Sequence, residues 1–586
     1  METGFVSRLM GVLALFLCAM VSACGRDDIE RLIDRLGDHG GRGHGGGDVG
    51  SGGRAGHCAS DGSAVGMAPA TVVATSPDNQ ATGHDPGTPI QASFSRAMAP
   101  GTLNGDTFMV SRDGVGIAGT VTYEVTTRLA TFRPQRSLAL LGTYTATVTT
   151  GATDEGGCPL ASSRSWTFTV REGGWGTAQL VENNSGDAFG PQVAVDESGN
   201  AMVVWFQRNA DRDDIWANRF VSCCTWGTPT LIETDDTGSL QYPQVAVDPS
   251  GNATAVWHGA QMGSSDFLIG GNRFVPGAGW GTVGLLGEPA DARGSDARVT
   301  VDRSGSATAV WSQFEGINHH TRANRFIPGV GWGTPVILGT DADGLAGYAP
   351  RVVSDSAGAV TAVWSQNANS RSSLWFSRFV TGSGWTSASL VETAHTGESD
   401  TPQIAVDGAG NVTVVWFQAD AVFGHVWANR YVPATGWETA TQIDASSGSA
   451  SSASVAVDSS GQAIAVWVQG TGGIFSLWSA RFVPGSGWGA PTRVQADEGF
   501  PSNAAVAVDP AGNALAVWQQ SGATRENIWV NRFVPASGWG TATLLEADDS
   551  RYAVFPQIAF DPSGNALAVW AQSDGTESSI WSRNFR

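Results

Sequence analysis

The sequence has no lysine and little charge, and both shortages exclude classes of function. All 33 basic residues are arginines, and charged residues make up 15% of the 586 residues. Without lysine, Schiff-base catalysis and P-loop phosphate chemistry are excluded. A binder of nucleic acid needs clustered positive charge, whereas this chain has a net charge of −21. We therefore expect no nucleic-acid partner.

The sequence also lacks a second hydrophobic run that approaches the length of a membrane span, which takes about 18 residues. The apolar run at residues 9–20 is itself too short, so residues 1–23 are predicted to be a secretion signal. Small residues directly before Cys24 resemble the bacterial lipobox, in which the cysteine is lipidated. The resemblance implies a lipid on Cys24 as the membrane contact. Gly25 in place of an Asp after the cysteine implies the outer membrane of the bacterial cell envelope if the cell is Gram-negative. An ordinary signal peptide with a chance cysteine is the alternative.

Residues 24–67 are predicted to be a lipid-anchored linker. Residues 37–66 are rich in Gly, Ser, His and Arg without periodicity, a composition typical of a flexible tether. The next domain lies mostly between Cys58 and Cys158, and we hypothesise a disulfide between them, which an exported protein could keep.

Residues 68–171 alternate apolar and polar residues in about seven short runs, which predicts an Ig-like β-sandwich. The predicted strands are residues 71–75, 90–94, 108–111, 119–123, 130–133, 143–149 and 166–170. The stretches Phe94-Ser95-Arg96-Ala97-Met98 and Ala130-Thr131-Phe132-Arg133-Pro134 resemble the bacterial Ig-like domain first named from surface-layer proteins (SbsA type). The resemblance implies a spacer or adhesion module, and the fold alone gives it no activity.

Tryptophan marks a repeat of 51–54 residues through the rest of the chain, residues 174–586. Three sets together hold 22 of the 23 tryptophans: one follows Gly or an equivalent, one closes the phrase Ala-Val-Trp, and one precedes Arg-Phe. The sets are Trp175, Trp226, Trp280, Trp332, Trp385, Trp437, Trp488 and Trp539; Trp205, Trp257, Trp311, Trp364, Trp416, Trp467, Trp518 and Trp570; and Trp216, Trp375, Trp427, Trp478, Trp529 and Trp581. Each copy predicts four strands, as in a β-propeller blade.

The phase of the repeat predicts how the array closes. The region opens with the strand that normally ends a copy, and it ends near Phe585 with the strand that normally precedes it. If residues 175–181 join the last three strands, eight blades are complete and no edge stays free. The predicted fold class is all-β, an Ig-like β-sandwich followed by an eight-bladed β-propeller closed by the N-terminal strand of the repeat region.

Most of the repeated side chains are assigned to structure. The tryptophans are predicted to pack between neighbouring blades. The Asp that precedes a Gly by three positions in each copy indicates a turn, and one Asp per blade does not converge into a metal site. The arginine before an aromatic residue predicts salt bridges or cation–π contacts between blades, and the last copy inverts its pair to Arg583-Asn584.

Function is expected where the copies differ. The loops between second and third strands and between blades emerge on one face of a propeller, and here these loops vary. They supply a possible binding rim: Arg212, Asp213, Asp214, His319, His320, Asp341, Asp343, His395, His425 and Arg525. We expect no catalytic residue, no metal site and no cofactor. Calcium stays a weak possibility, because Asp341-Ala342-Asp343-Gly344 resembles the start of a calcium loop without its distal glutamate.

These observations predict an exported surface lipoprotein that acts as a non-catalytic binding or adhesion module for glycan or protein through the variable face. Two alternatives remain open. The repeat resembles sialidase-like propellers, which implies a glycan hydrolase, although the Asp turn here lies between the first two strands instead of the last two. A multivalent lectin that uses the Trp and Arg positions between blades is the other alternative.

Overall fold

The computed structural model describes residues 68–209, 212–222, 225–233, 238–261, 267–287, 292–315, 318–339, 347–368, 371–392, 397–420, 422–445, 448–471, 473–495, 499–522, 525–546 and 551–586. The regular secondary structure of these residues consists of β-strands and one short 3₁₀-helical turn, Pro100–Thr102. No helix among them has the length and apolar character needed to cross a membrane. The predicted signal, Cys24, the linker and Cys58 lie outside the described residues, so those predictions stay predictions.

Residues 68–171 form a sandwich of two sheets. Its strands are β1 (Val72–Ser76), β2 (Ala81–His84), β3 (Ile90–Phe94), β4 (Phe108–Arg112), β5 (Val115–Gly116), β6 (Gly119–Glu124), β7 (Leu129–Pro134), β8 (Thr143–Val148) and β9 (Arg164–Val170). One sheet has the order β1-β3-β7-β6 and the other β2-β9-β8-β4-β5. All seven predicted strands are present. Strands β2 and β5 escaped prediction because they are short and bury no side chain.

The core of the sandwich contains Phe108, Phe132, Trp166 and Phe168, which are buried between the two sheets. Cys158 is disulfide-bonded. Its predicted partner Cys58 lies outside the described residues, so this pairing stays a prediction.

The repeat region consists of eight modules, each with three long antiparallel strands and a short outer strand. The first strands are Ala188–Val195, Gly238–Val247, Ala292–Val301, Gly347–Ser354, Ser399–Val406, Ser449–Val457, Phe500–Val508 and Ala553–Phe560. The second strands are Ala201–Asn209, Ala253–Gln261, Ala307–Glu315, Val360–Ala368, Val412–Ala419, Ala463–Thr471, Ala514–Ser521 and Ala566–Ser573. The third strands are Arg212–Phe220, Phe267–Val275, Asn318–Ile327, Arg371–Val380, Gly424–Val432, Ile474–Val483, Glu526–Val534 and Ser578–Phe585.

The outer strands are only two residues long, and in most modules two of them follow one another. They are Thr230–Leu231 in module 1 and then Gly279–Trp280, Gly284–Leu285, Gly331–Trp332, Val336–Ile337, Gly384–Trp385, Ser389–Leu390, Gly436–Trp437, Thr441–Gln442, Gly487–Trp488, Thr492–Arg493, Gly538–Trp539 and Thr543–Leu544. Module 8 takes its outer strand, Gln179–Leu180, from the beginning of the region.

The pairing of residues 175–181 with the last module is confirmed. Gln179 lies opposite Ser582 and Leu180 opposite Trp581 in an antiparallel ladder. The backbone N–H of Val181 donates to the carbonyl of Ile580 at 2.8 Å. The third strand of module 8 therefore has no free edge along this segment.

The second set of tryptophans joins the modules, as predicted. Each of these side chains is at most 2% exposed. Trp257 of module 2 packs on the sheet of module 1 beside Val204 and Ile215, and the other modules repeat this arrangement. Trp205 of module 1 packs on module 8, beside Val569. Neighbouring modules therefore bury apolar surface against each other, and the first module does so against the last.

A buried indole also needs a partner for its N–H. In seven of the eight modules a glutamine two positions further along the same strand accepts this hydrogen bond, as Gln418 does from Trp416 at 3.0 Å. Module 2 has Gly259 at that position.

The repeated arginines form cation–π contacts between modules, as predicted. Each guanidinium lies 4.5–5.7 Å from the ring centroid of an aromatic residue in the next module, as Arg273 does over Phe326. Arg586 makes the eighth contact, over Phe220 of module 1. The salt bridges differ from the prediction, because in modules 1 to 5 they join each arginine to the Asp of its own module.

The Asp of each repeat closes a turn, as predicted. Asp248 Oδ1 accepts the backbone N–H groups of Ser250 at 2.9 Å and Asn252 at 3.0 Å. Gly251 in this turn has φ +81°, and a Cβ there would lie 2.8 Å from Asp196 Oδ2 of the preceding module. Glycine is therefore favoured at position 251 for two reasons: its backbone has a positive φ, and the neighbouring module approaches too closely for a Cβ atom.

Gly251→Ala is expected to destabilise the protein by about 1 kcal/mol more than Gly277→Ala, measured by urea unfolding. Gly277 has the same φ of +81°, but a Cβ added at Gly277 would meet no atom within 4 Å. Gly277→Ala therefore reports the backbone cost alone, about 1–2 kcal/mol. Equal losses in the two variants would contradict the close contact between modules.

Candidate binding site

The modules have two different ends. At the Asp-turn end, each first strand ends and the second strand begins. The loop end contains the start of each first strand and the hairpin between the second and third strands. The pairing of Ala188 with Gln207 and of Arg208 with Asp213 shows this arrangement in module 1. The described members of the predicted rim all lie at the loop end, in modules 1, 3, 5 and 7. Asp341, Asp343 and His395 lie outside the described residues.

Asp213 and Asp214 of the predicted rim are buried instead of exposed, each 2% exposed. Asp213 accepts hydrogen bonds from Arg208 at 3.0 and 3.2 Å, and from Ser239 and Gln241 of module 2. Burial alone would raise the pKa of Asp213, but these hydrogen bonds outweigh burial and lower it. Arg212 Nε lies 2.9 Å from Asp214 Oδ1. These groups therefore hold the hairpin and the next module together.

His425 is also buried and connects two acidic residues. Its Nδ1 lies 3.0 Å from Asp444 Oδ2, and its Nε2 lies 3.2 Å from Asp420 Oδ2. Burial lowers the pKa of His425, but the hydrogen bonds and charges of Asp444 and Asp420 outweigh burial and raise it. This ion-paired arrangement stabilises the hairpin of module 5.

The two adjacent histidines of module 3 point apart, as expected for neighbours on a strand. His320 is buried, whereas His319 is half-buried with its ring centroid 3.6 Å from that of Phe314. Burial and the neighbouring His320 lower the pKa of His319. Arg525 begins the third-strand side of the hairpin in module 7, where its carbonyl accepts the N–H of Gly522. Among the described residues, no group of three or more His, Cys, Asp and Glu could hold a metal ion.

A second set of loop-end positions is formed by bulges in the first strands. Every first strand shifts register once, and its bulge contains a residue with φ between +48° and +60°. The residue differs in every module: Gly190, Tyr242, Asp296, Ala349, Thr401, Ser452, Asn503 and Phe555. Left-handed backbone at non-glycine residues is strained and is common at functional sites. One position per module thus presents seven different side chains and, in module 1, a glycine.

Exposed aromatic residues are concentrated at this end. All six Phe, Tyr and Trp side chains that are exposed in the described part of the chain lie there: Tyr242, Phe423, Phe475, Phe500, Tyr552 and Phe555. Tyr242 is 57% exposed and stacks on His258 with 5.2 Å between ring centroids and 17° between planes. Phe475 and Phe500 pack on each other at 5.7 Å. Aromatic rings left in water at one end of a protein indicate a recognition surface.

Two arginines lie deeper in the same first strands. Arg298 and Arg351 stand two residues after the bulges of modules 3 and 4, and both keep part of their surface accessible to water. Arg351 Nε donates to Gln403 Oε1 of module 5 at 3.4 Å. Burial and the nearby Arg298 lower the pKa of Arg351 to about 9, against the favourable charges of Asp296 and Asp400. Both guanidinium groups remain charged at neutral pH.

The sequence contains a signal for these residues, but it lies in the strands instead of the variable loops. A proline follows the bulge residue in five modules, and a proline inside a strand marks an edge or a bulge. Two positions after the bulge, glutamine in modules 1, 2, 5 and 8 changes to arginine in modules 3 and 4. The change from glutamine to arginine within an otherwise regular strand was visible in the sequence. The sequence did not show that the strands of different modules bring these positions together.

The Asp-turn end is partly covered by the N-terminal sandwich. Arg136 of the sandwich forms a 3.0 Å salt bridge with Glu197 of module 1, and Arg532 of module 7 one of 3.1 Å with Glu172. A cavity of about 630 Å³ lies between the sandwich and modules 1 and 8. A second cavity of about 370 Å³ is lined by the ends of the first strands of modules 1 to 6, which shows that these strands converge. These contacts of the sandwich leave the loop end uncovered.

Comparison with known proteins identifies the N-terminal part of the chain. Residues 67–170 match the family model of the bacterial Ig-like domain. No curated protein matches the chain.

Solved structures with distant similarity to this chain include the following three proteins. A protein of unknown function from Dyadobacter fermentans has 12% identity and a TM-score of 0.37, over 71% of this chain and 99% of that one. An ulvan lyase of polysaccharide lyase family PL25, bound to -[GlcA(1-4)Rha3S]-, has 10% identity and a TM-score of 0.41, over 62% and 94%. The intramolecular trans-sialidase from Ruminococcus gnavus has 13% identity and a TM-score of 0.32, over 70% and 95%.

At these identities and TM-scores, the similarities carry no argument about what this chain binds. The family match is more specific, because it covers the same residues that form the two-sheet sandwich. Residues 67–170 of this all-β chain therefore form a bacterial Ig-like domain.

Proposed function

We propose that this chain is an exported, lipid-anchored protein whose eight modules form a β-propeller that binds carbohydrate, without cleaving it, at the loop end. The observation that carries the proposal is the position of the exposed aromatic side chains: in the described part of the chain, all six lie at that end. Sugar rings present faces of C–H groups that pack on aromatic rings, and tyrosine adds a hydroxyl for hydrogen bonds. The eight different bulge residues give one asymmetric surface, which favours a single extended ligand.

Two further features support the proposed arrangement. Each module packs on the next, and module 1 packs on module 8 through Trp205 and receives Arg586 over Phe220. The Ig-like domain contacts the Asp-turn end through the salt bridge between Arg136 and Glu197 of module 1. The multivalent lectin alternative is disfavoured, because the second-set tryptophans and the arginine contacts between modules are used for packing.

The test is glycan binding by the full chain and by the double variant Tyr242→Ala and Phe555→Ala. These two bulge residues are 57% and 43% exposed, so their removal leaves the folded core intact. We expect the double variant to bind about tenfold more weakly or worse, because each ring contact is worth about 1 kcal/mol. Leu285→Ala, at a 51% exposed position on an outer strand, serves as the control and should leave affinity unchanged.

Two results would count against the proposal. Binding of a protein but of no glycan would assign the loop end to a protein partner. Release of new reducing ends from a bound glycan would make the site catalytic and would favour the hydrolase alternative.

A further inference from the structure

Arg298 and Arg351 interrupt the repeat at corresponding positions. The other modules carry Gln192, Gln244, Gln403, Ser454, Ala505 and Gln557 there. The strand therefore folds with a neutral side chain at this position, and the fold does not require a guanidinium. Two adjacent modules nevertheless place a positive charge there, in a chain whose net charge is −21.

Neither guanidinium has an ion-pair partner within the described part of the chain. Arg298 Nη1 donates to the carbonyl of Ala297 at 3.1 Å, and Arg351 Nη1 to that of Pro350 at 2.9 Å. The arginines between modules differ in this respect, since Arg325 and Arg378 lie 2.9 and 2.6 Å from an aspartate. Charges deep in a protein are normally paired, because an unpaired one costs several kcal/mol.

The surroundings of the two arginines are suited to an acidic ligand. Arg298 and Arg351 are close enough to repel each other. The charges of Asp296 and Asp400 offset this repulsion, although neither carboxylate lies within ion-pair distance of the two arginines. His258 interacts electrostatically with Arg298, and its buried Nδ1 has no hydrogen-bond partner among the described residues. The ring of Tyr242 stacks on His258 and is open to solvent. Tyr242 and His258 lie on the first and second strands of module 2, and Arg298 and Arg351 lie on the first strands of the next two modules.

We propose that the ligand of the loop end carries a carboxylate or sulfate group, which Arg298 and Arg351 bind while Tyr242 packs on an adjoining sugar ring. This inference rests on the carbohydrate-binding function proposed above. A guanidinium presents a planar pair of N–H groups that matches both carboxylate and sulfate oxygens. The proposed ligand is therefore an acidic polysaccharide with uronate or sulfated residues.

The test compares charged and uncharged forms of the same polymer by calorimetry with the full chain. The pairs are polygalacturonate against its methyl ester, and dextran sulfate against dextran, with inorganic sulfate as the minimal anion. Arg298→Gln and Arg351→Gln introduce the residue that four other modules carry at this position. Arg133→Gln, at an exposed position of the Ig-like domain, removes the same charge elsewhere.

We expect at least one charged polymer to bind about tenfold or more tightly than its uncharged form, and each single variant to lose about tenfold of that affinity. Arg133→Gln should keep the affinity of the unchanged protein. Loss of carboxylate binding alone, or of sulfate binding alone, identifies which acidic group the site takes. The unliganded variants should be at least as stable to urea as the unchanged protein, whereas a purely structural role would make them less stable.

The outcomes separate this inference from the function on which it rests. Equal binding of charged and uncharged glycans, with no effect of either variant, would overturn the acidic-ligand inference and leave carbohydrate binding in place. Binding of inorganic sulfate that the variants abolish, without binding of any glycan, would overturn the carbohydrate function and leave the anion site. Binding of none of these probes would overturn both.

Discussion

Replacing residues 175–181 with a Gly/Ser linker of equal length is expected to lower the free energy of unfolding by about 5 kcal/mol or more. The segment pairs with the third strand of module 8, and the N–H groups of Gly176 and Val181 each donate to that strand at 2.8 Å. Val181 is 2% exposed, and the ring of Trp175 packs against Phe585 with 5.3 Å between centroids. The linker removes both apolar contacts and leaves the strand edge of module 8 open to solvent.

The measurements are urea unfolding and hydrogen exchange. We expect the amides of Ser578–Phe585 to lose protection in the linker variant, because their strand would become an edge. Leu180→Ala is the control, since this side chain lies in the same segment but is 44% exposed, and it should change stability by less than about 0.5 kcal/mol. A linker variant that is as stable as the unchanged protein would contradict the role of this segment as the outer strand of module 8.

The spacing of tryptophan was sufficient to predict the modules and the shared outer strand. One indole in each module must be buried, and the interval between copies gives the length of a module. The last copy shows where this reasoning stops. Its inverted pair places Arg583 where five other modules have asparagine, and Arg583 donates to the carbonyl of Leu545 at 2.7 Å, as Asn531 does to that of Val494. Arg586 then takes over the cation–π contact. Arg583 and Arg586 together thus make the two contacts that an Asn-Arg pair makes in other modules, which the repeat pattern does not show.

The predicted rim illustrates a second limit. The loop end was predicted because the hairpins vary, and the described rim residues do lie there. Their burial was not predictable, because the partners come from elements far apart in sequence, as when Gln241 contacts Asp213 or Asp444 contacts His425. The bulge residues and Arg298, by contrast, were not predicted to belong to the binding site. They lie within regular strands and not in the variable loops, so they were not among the predicted rim residues, and only the assembly of several modules brings them together.

Trp416→Ala is expected to destabilise the protein by about 3–5 kcal/mol, the cost of truncating a large aromatic side chain in a core. Trp416 has no exposed surface and packs against Val363, Leu374 and Val391 of the preceding module. The cavity would lie at the contact between modules 4 and 5, so the loss affects both sheets.

Trp427 gives a matched control, because it lies directly opposite Trp416 on the neighbouring strand but is only partly buried. Trp427→Ala should cost clearly less than Trp416→Ala in the same urea titration. Trp416→Phe should lower the free energy of unfolding by about 1–2 kcal/mol, less than either alanine variant does. The phenylalanine keeps most of the packing but loses the hydrogen bond to Gln418. If Trp427→Ala were the more damaging change, the tryptophans that follow Ala-Val or its variants would not be the groups that hold neighbouring modules together. The apolar surface between modules would then have to be stabilised mainly by the arginine and aromatic contacts at their Asp-turn ends.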